Sequence, residues 1–175
     1  ALVILGATLT SFTNYYRNQK TNQILNDSAQ ESRNAMDLAA RQLRNLANQD
    51  PSQQTTTIAR ALPFDLVFQT SDPSRKWVRY CLDTTTAPAS TQRARLWTSE
   101  YAVASASTAA PVTTGMRSTC PGTGWTTTNV VADYITNKRP GFDRPIFQYG
   151  CTVGTACTAT PATYDQVVSL SAQLY

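Results

Sequence analysis

Residues 1–49 read as one helix of two unlike halves, and that helix limits what the rest of the chain can become. The opening run, Ala1-Leu-Val-Ile-Leu-Gly-Ala-Thr-Leu-Thr-Ser-Phe12, is apolar on nearly every side, and no residue from Ala1 to Tyr16 is charged. From Leu25 the pattern changes. Leu25, Ala29, Ser32, Met36, Ala39, Leu43 and Leu46 recur at alternating steps of four and three, which predicts one stripe for packing against a sheet or other helices. Ile24, Ala35, Leu38, Ala40 and Ala47 widen the stripe, while Arg33, Asp37, Arg41, Gln42, Arg44 and Asn45 occupy the other face. Asp37 and Arg41 stand at i and i+4, a spacing that adds about 0.3 kcal/mol. Between the halves, Asn14 to Asn22 is polar on all sides and contains Arg17 and Lys20. Asp50-Pro51 predicts the end, because the residue before proline is pushed out of the α region.

Beyond the helix the hydrophobic period drops to two. Phe64–Thr70 predicts a strand, Ser71-Asp-Pro-Ser74 a turn, Lys76–Leu82 the returning strand and Ala94–Tyr101 a third. From Ala102 to Thr128 the chain is rich in Ala, Ser, Thr, Gly and Pro, which reads as a long surface excursion pinned by Cys120. Asn129–Ile135 reads as a short helical turn or a buried segment. Pro145–Tyr149 and Tyr164–Tyr175 are the last strands, the latter alternating through Val168, Leu170, Ala172 and Leu174. A long helix followed by an antiparallel sheet predicts an α+β fold with long Thr-rich loops. Residues 1–24 form a projecting helix half, and residues 25–175 form the globular part.

Composition narrows the chemistry. Histidine is absent, which removes the commonest metal ligand and the commonest general base together. Of 11 carboxylates only Glu31 and Glu100 are glutamates, and no pair sits in a recognisable motif. Gly122-Thr-Gly124 is too short for a phosphate loop, and Asp133, Asp143 and Asp165 lack the spacing of a calcium loop. The expectation is a non-enzyme without cofactor or metal. A net charge of +4 and a pI near 9.0 are mild, and the basic residues are scattered, as on a solvated surface. Trp77, Tyr80, Trp97, Tyr101 and Trp125 beside Arg75, Arg79, Arg93 and Arg95 match a base-stacking surface in type, although aromatics on strands are far more often core. The chain has 27 threonines, and the runs Thr84–Thr86 and Thr126–Thr128 suit either unmodified loops or O-glycosylation.

The cysteines Cys81, Cys120, Cys151 and Cys157 all lie in the Thr-rich part, where an even count suggests two disulfides with three possible pairings. Cys151 and Cys157 enclose a short Gly-containing turn and suit a small loop, which leaves Cys81 with Cys120 as the preferred longer staple. A zinc site of four thiolates usually shows closer paired spacing and is the weaker reading.

The apolar start is shorter than the ~20 residues a membrane-spanning helix needs. It also lacks the basic leader and cleavage site of a signal peptide. The expectation is a chain that begins partway through an apolar helix.

This order of elements resembles the type IV pilins and pseudopilins. In that family a short leader is removed ahead of a phenylalanine, and an apolar segment with one buried glutamate follows. That segment ends in a run like Ala1-Leu-Val-Ile-Leu-Gly6, so the resemblance places Ala1 a short way past the mature start. The Met-Asp-Leu-Ala-Ala-Arg-Gln-Leu-Arg run within Ala29–Asn48 is similar to the second helical half of large-domain minor pilins and J-type pseudopilins. Strands like Leu66–Thr70, Trp77–Tyr80, Pro145–Tyr149 and the final Val-x-Leu-x-Ala-x-Leu extend the likeness to most of the chain. The Thr-rich insert and the cysteines depart from it.

The resemblance implies a structural subunit that polymerises through its N-terminal helix with other copies or other pilin-like subunits. Leu2, Val3, Ile4, Leu5, Gly6, Leu9 and Phe12 would pack the filament, with Gly6 a weak point in the helix or a site of close backbone approach. Before assembly the apolar half would lie in the inner membrane, and afterwards the filament would be extracellular or periplasmic. A minor pilin or J-type pseudopilin is the leading reading and a main filament subunit its competitor. The alternative class is a binding module displayed on a filament, an adhesin or a DNA-uptake receptor.

Overall fold

No proline interrupts residues 2–44, and strong helix formers fill most of residues 35–44, so the chain propagates a single helix, α1, over Leu2–Arg44. The structure, a computed structural model, describes residues 2–46, 57–71, 74–83, 94–103, 111, 119–139, 141–151 and 167–175. The helix stops earlier than Asp50-Pro51 implies, and both of those residues lie outside the described ones. The cause is tertiary. Asn45 turns its carbonyl toward the sheet, where it accepts from Thr70 Oγ1 at 2.8 Å and from the Ser71 amide at 3.0 Å. Leu46 then pairs with Thr70 as an isolated bridge. Arg41 and Arg44 lie in the last turn, where positive charge suits the exposed carbonyl end.

Five strands follow in a simple antiparallel meander: β1 (Ile58–Leu62), β2 (Asp65–Thr70), β3 (Lys76–Asp83), β4 (Ala94–Ala102) and β5 (Thr127–Ile135), paired in that order. One long helix packed on this five-stranded sheet makes the fold α+β, as the period change along the sequence implies. Among the described residues two further antiparallel pairs accompany it, β6 (Lys138–Arg139) with β7 (Phe142–Asp143), and β8 (Phe147–Cys151) with β9 (Val167–Ala172). Residues 129–135 are not a helical turn but part of β5, buried at Ala132 and Ile135. Their β-branched residues pair with β4, Val130 opposite Trp97 and Ala132 opposite Leu96, and the register then slips to set Ile135 opposite Ala94.

The sheet is buried on both faces, which is why β2 and β3 read as near-continuous apolar runs. One face carries Leu66, Phe68, Val78, Tyr80, Leu82 and Leu96, and α1 covers it with Ala35 and Ala39. Phe68 and Tyr80 stack there at 6.3 Å between ring centres. The other face carries Val67 and Trp77, packed against Ala59, Tyr101, Val103 and Trp125.

The helix meets the sheet differently from the 4-3 stripe. Ala39 is buried, and Leu43 and Leu46 are half-buried against the core. Leu25, however, is 60% exposed, and Ala29 is exposed as well. Contact begins near Ser28, whose hydroxyl donates to the Asp133 carbonyl at 3.3 Å, while the Asp133 amide donates to Glu31 Oε2 at 3.2 Å. Leu25 lies before that point. From there the seam follows Ala35, Ala39 and Gln42, because small alanines let the helix come close to the strands.

Gln42, assigned to the polar face by periodicity, is buried because the core contains a partner. Tyr80 Oη donates to Gln42 Oε1 at 2.6 Å, and Lys76 Nζ pairs with Glu100 at 2.7 Å nearby. Burial holds the Tyr80 phenol well above its ordinary value. The native state therefore keeps that proton at pH values where the unfolded chain has released it, which makes stability fall as pH rises. We expect Tyr80 to contribute no pH dependence below about pH 9 and a loss of stability above about pH 10. Urea midpoints measured against pH should show the alkaline decline reduced in Tyr80→Phe, and equal slopes in both chains would refute it.

Candidate functional site

The projecting half of α1 is the part of the molecule that its own domain does not complete. At about 100° per residue, Phe12 stands roughly 180° from the sheet-facing Ala39. Leu9, Phe12, Tyr15 and Tyr16 are 58–66% exposed. Phe12 and Tyr16 touch in a tilted ring pair at 5.0 Å, so they form one continuous apolar surface rather than isolated side chains. Leu2, Val3, Ile4, Leu5 and Gly6 continue the same helix, and their side chains lie outside the described residues.

The polar residues of this half are partly satisfied from within. Thr13 Oγ1 donates to the Leu9 and Thr10 carbonyls at 3.1 and 2.9 Å, and Thr21 Oγ1 donates to the Arg17 carbonyl at 2.9 Å. A hydroxyl bonded back to its own helix makes little demand on a partner surface. Such a helix can bury its flank against another apolar surface without stranding those groups. Among the described residues no helix is long and apolar enough to cross a membrane.

The globular part holds a second polar constellation, which pattern reading did not assemble. Arg79 is 1% exposed, and its Nε and Nη2 donate to Asp65 Oδ1 and Oδ2 at 2.7 and 2.8 Å. Arg60 Nη1 reaches the same carboxylate at 2.6 Å. Arg79 Nη1 also donates to the Thr119 carbonyl at 2.6 Å, and its guanidinium lies 6.0 Å from the Trp125 ring centre. The neighbouring Cys81–Cys120 disulfide, with Cα atoms 5.9 Å apart, fastens the same segment to β3. Together they hold residues 119–125 on the second face of the sheet. Cys151 ends β8, and Cys157 lies outside the described residues.

Of the base-stacking candidates, Trp77, Tyr101 and Trp125 pack together on the second face of the sheet beside Arg79, with Trp77 and Arg79 buried. Tyr80 is buried on the helix-covered face, Arg75 reaches Gln69 at 3.4 Å, and Arg95 pairs with Asp133 at 2.9 Å. Arg93 lies outside the described residues. Asp133 and Asp143 sit on β5 and β7, Asp165 is not among the described residues, and no three metal-ligating side chains converge among those that are. A further polar hub comes from Asn137, a residue with no motif to mark it. Its Nδ2 donates to the Arg144 and Gln173 carbonyls, and its Oδ1 accepts from the Tyr175 amide, tying the last residues to the domain. Compared with known protein families, with curated proteins and with solved structures, the chain matches none.

Proposed function

We propose that this chain is a pilin-like structural subunit that assembles into a filament through the projecting half of α1. One observation carries the reading: a single helix docks its second half on a sheet and exposes the apolar residues Leu9, Phe12, Tyr15 and Tyr16 on its first. Contiguous exposed apolar surface of this kind marks an interaction site. Before assembly the apolar end would rest in the membrane with the domain outside the cytoplasm. On assembly, lipid contact would be exchanged for contact with other subunits.

The test is self-association of the purified chain, followed by sedimentation and electron microscopy. Phe12→Asp removes a buried aromatic worth about 3 kcal/mol at the interface, so assembly should weaken by at least roughly a hundredfold while the domain stays folded. A wild-type chain that stays monomeric, with its first sixteen residues folded into its own core, would overturn the reading. A salt-sensitive shift of DNA by the monomer would favour a displayed receptor instead.

A further inference from the structure

Resting on the reading that sets the apolar end of α1 in a membrane, we propose that the end of the domain from which this helix projects docks on anionic lipid headgroups. Lys138 and Arg144 on the domain would make the contact, with Arg17 and Lys20 on the helix. The basic residues look scattered along the sequence, but their excess is not. Residues 1–26 and 138–144 hold five of the 15 basic residues and one of the 11 acidic ones, a net of +4, which is the net charge of the whole chain. The remaining ten basic and ten acidic residues balance.

The fold brings both segments to one side. α1 and β5 run in opposite directions along each other: Gln42 reaches Glu100, which stands opposite Thr127, whereas Ser28 and Glu31 meet Asp133. β5 therefore ends toward the N-terminal half of the helix, and β6 and β7 follow it there. Lys138 Nζ lies 4.9 Å from the ring centre of Phe64, just ahead of β2 at the same end of the sheet. Along the helix axis Lys20 stands about 12 Å from Ser28, and Arg17 about 17 Å. Helices in bilayers tilt by up to about 40°, and tilt toward the β6–β7 side lowers that end of the domain toward the headgroups.

None of these four cations is neutralised by a neighbour. The ion pairs among the described residues use Arg60, Lys76, Arg79 and Arg95. Asp143, the single carboxylate of residues 138–144, stands opposite Lys138 in the ladder without pairing with it. Arg144 is exposed, and rings rather than an acid fix it. Its guanidinium lies 4.7 and 4.8 Å from the ring centres of Phe142 and Tyr175, which meet edge to face at 6.3 Å. Buried Asn137 holds this corner together: its side chain bonds the Arg144 carbonyl and the Tyr175 amide, and its carbonyl accepts from the Arg144 amide at 2.8 Å. Rings occupy the faces of a guanidinium while its N–H groups lie in its own plane, so this stacking leaves the donors for a phosphate. An anionic bilayer supplies phosphates and takes the apolar helix beside them, so charge and apolar surface select the same occupant.

Co-sedimentation of the full-length chain with vesicles tests the docking, using phosphatidylcholine alone and phosphatidylcholine with about one-third phosphatidylglycerol. Wild type should bind the anionic vesicles roughly a hundredfold more tightly at about 0.1 M salt and lose that advantage at about 1 M. Lys138→Gln with Arg144→Gln should cut the advantage roughly twentyfold, with binding to neutral vesicles and the melting temperature unchanged. Arg17→Gln with Lys20→Gln, both on the exposed helix and outside the core, should do the same. Arg41→Gln with Arg44→Gln removes equal charge from the last turn of α1, at the far end of the domain, and should keep the advantage. An equal loss in that control would show that net charge alone matters and would overturn the proposal. Equal binding of wild type to both vesicles would also overturn it, while leaving the apolar helix in the membrane. Wild type that binds neither would remove the membrane reading itself. Retention on DNA but not on anionic vesicles, lost with Lys138 and Arg144, would assign this end to nucleic acid instead.

Discussion

Asp65→Ala should destabilise the fold by about 3–5 kcal/mol, far more than a surface ion pair is worth. Arg79 is 1% exposed and receives both carboxylate oxygens of Asp65 in a bidentate pair. Guanidinium does not shed its proton in a protein, so without Asp65 a full charge stays buried beside the Thr119 carbonyl with its carboxylate partner gone. Arg60 loses its 2.6 Å contact at the same time, but it is more exposed and can turn to water. The reciprocal change behaves differently. Arg79→Met removes the charge together with its need for a partner and leaves Asp65 with Arg60, so its cost should be smaller. Urea unfolding of both variants decides the matter. An Asp65→Ala loss below about 1 kcal/mol, or a loss smaller than that of Arg79→Met, would show that water reaches Arg79 and that the pair is not a sealed one.

Local patterns revealed the elements, whereas the seams between them needed the fold. The period change after the helix located β2, β3 and β4 to within a residue or two, because buried alternation depends only on neighbours along the chain. The helix end escaped that logic. Asp50-Pro51 is the strongest local stop signal, yet α1 ends at Arg44 because Thr70 and Ser71 capture the Asn45 carbonyl. Leu25 failed for a related reason: a 4-3 stripe says which residues share a face, but not where along the helix the sheet begins. Gln42 and Arg79 were invisible as core residues because each is buried only by virtue of a partner distant in sequence, Tyr80 and Asp65 respectively. For the projecting helix the position was better. Exposed Leu9 and Phe12 follow directly from an uncharged run preceding a polar one.

Removing the Cys81–Cys120 bond by Cys81→Ala with Cys120→Ala should lower the melting temperature by about 10 °C. The bond closes a loop with a sequence separation of 39, for which the chain-entropy account gives about 4 kcal/mol. For a chain of this size each kcal/mol corresponds to roughly 2–4 °C. Entropy is one part of the effect. The disulfide and the Arg79–Thr119 hydrogen bond attach adjacent residues of one segment, so each holds the other's partner in place. Without the disulfide, residues 119–125 should leave the second face of the sheet more often, carrying Trp125 away from Val67 and Trp77. Tryptophan emission should then shift to the red before the main unfolding transition. The same coupling makes the loss non-additive: combined with Arg79→Met, the double cysteine variant should lose less than the sum of the separate losses, because contiguous groups share one segment. Calorimetry on the three variants measures this directly. Additive losses would mean that the disulfide and Arg79 act on independent parts of the fold, and a melting shift under about 2 °C would mean that the segment is held without its covalent staple.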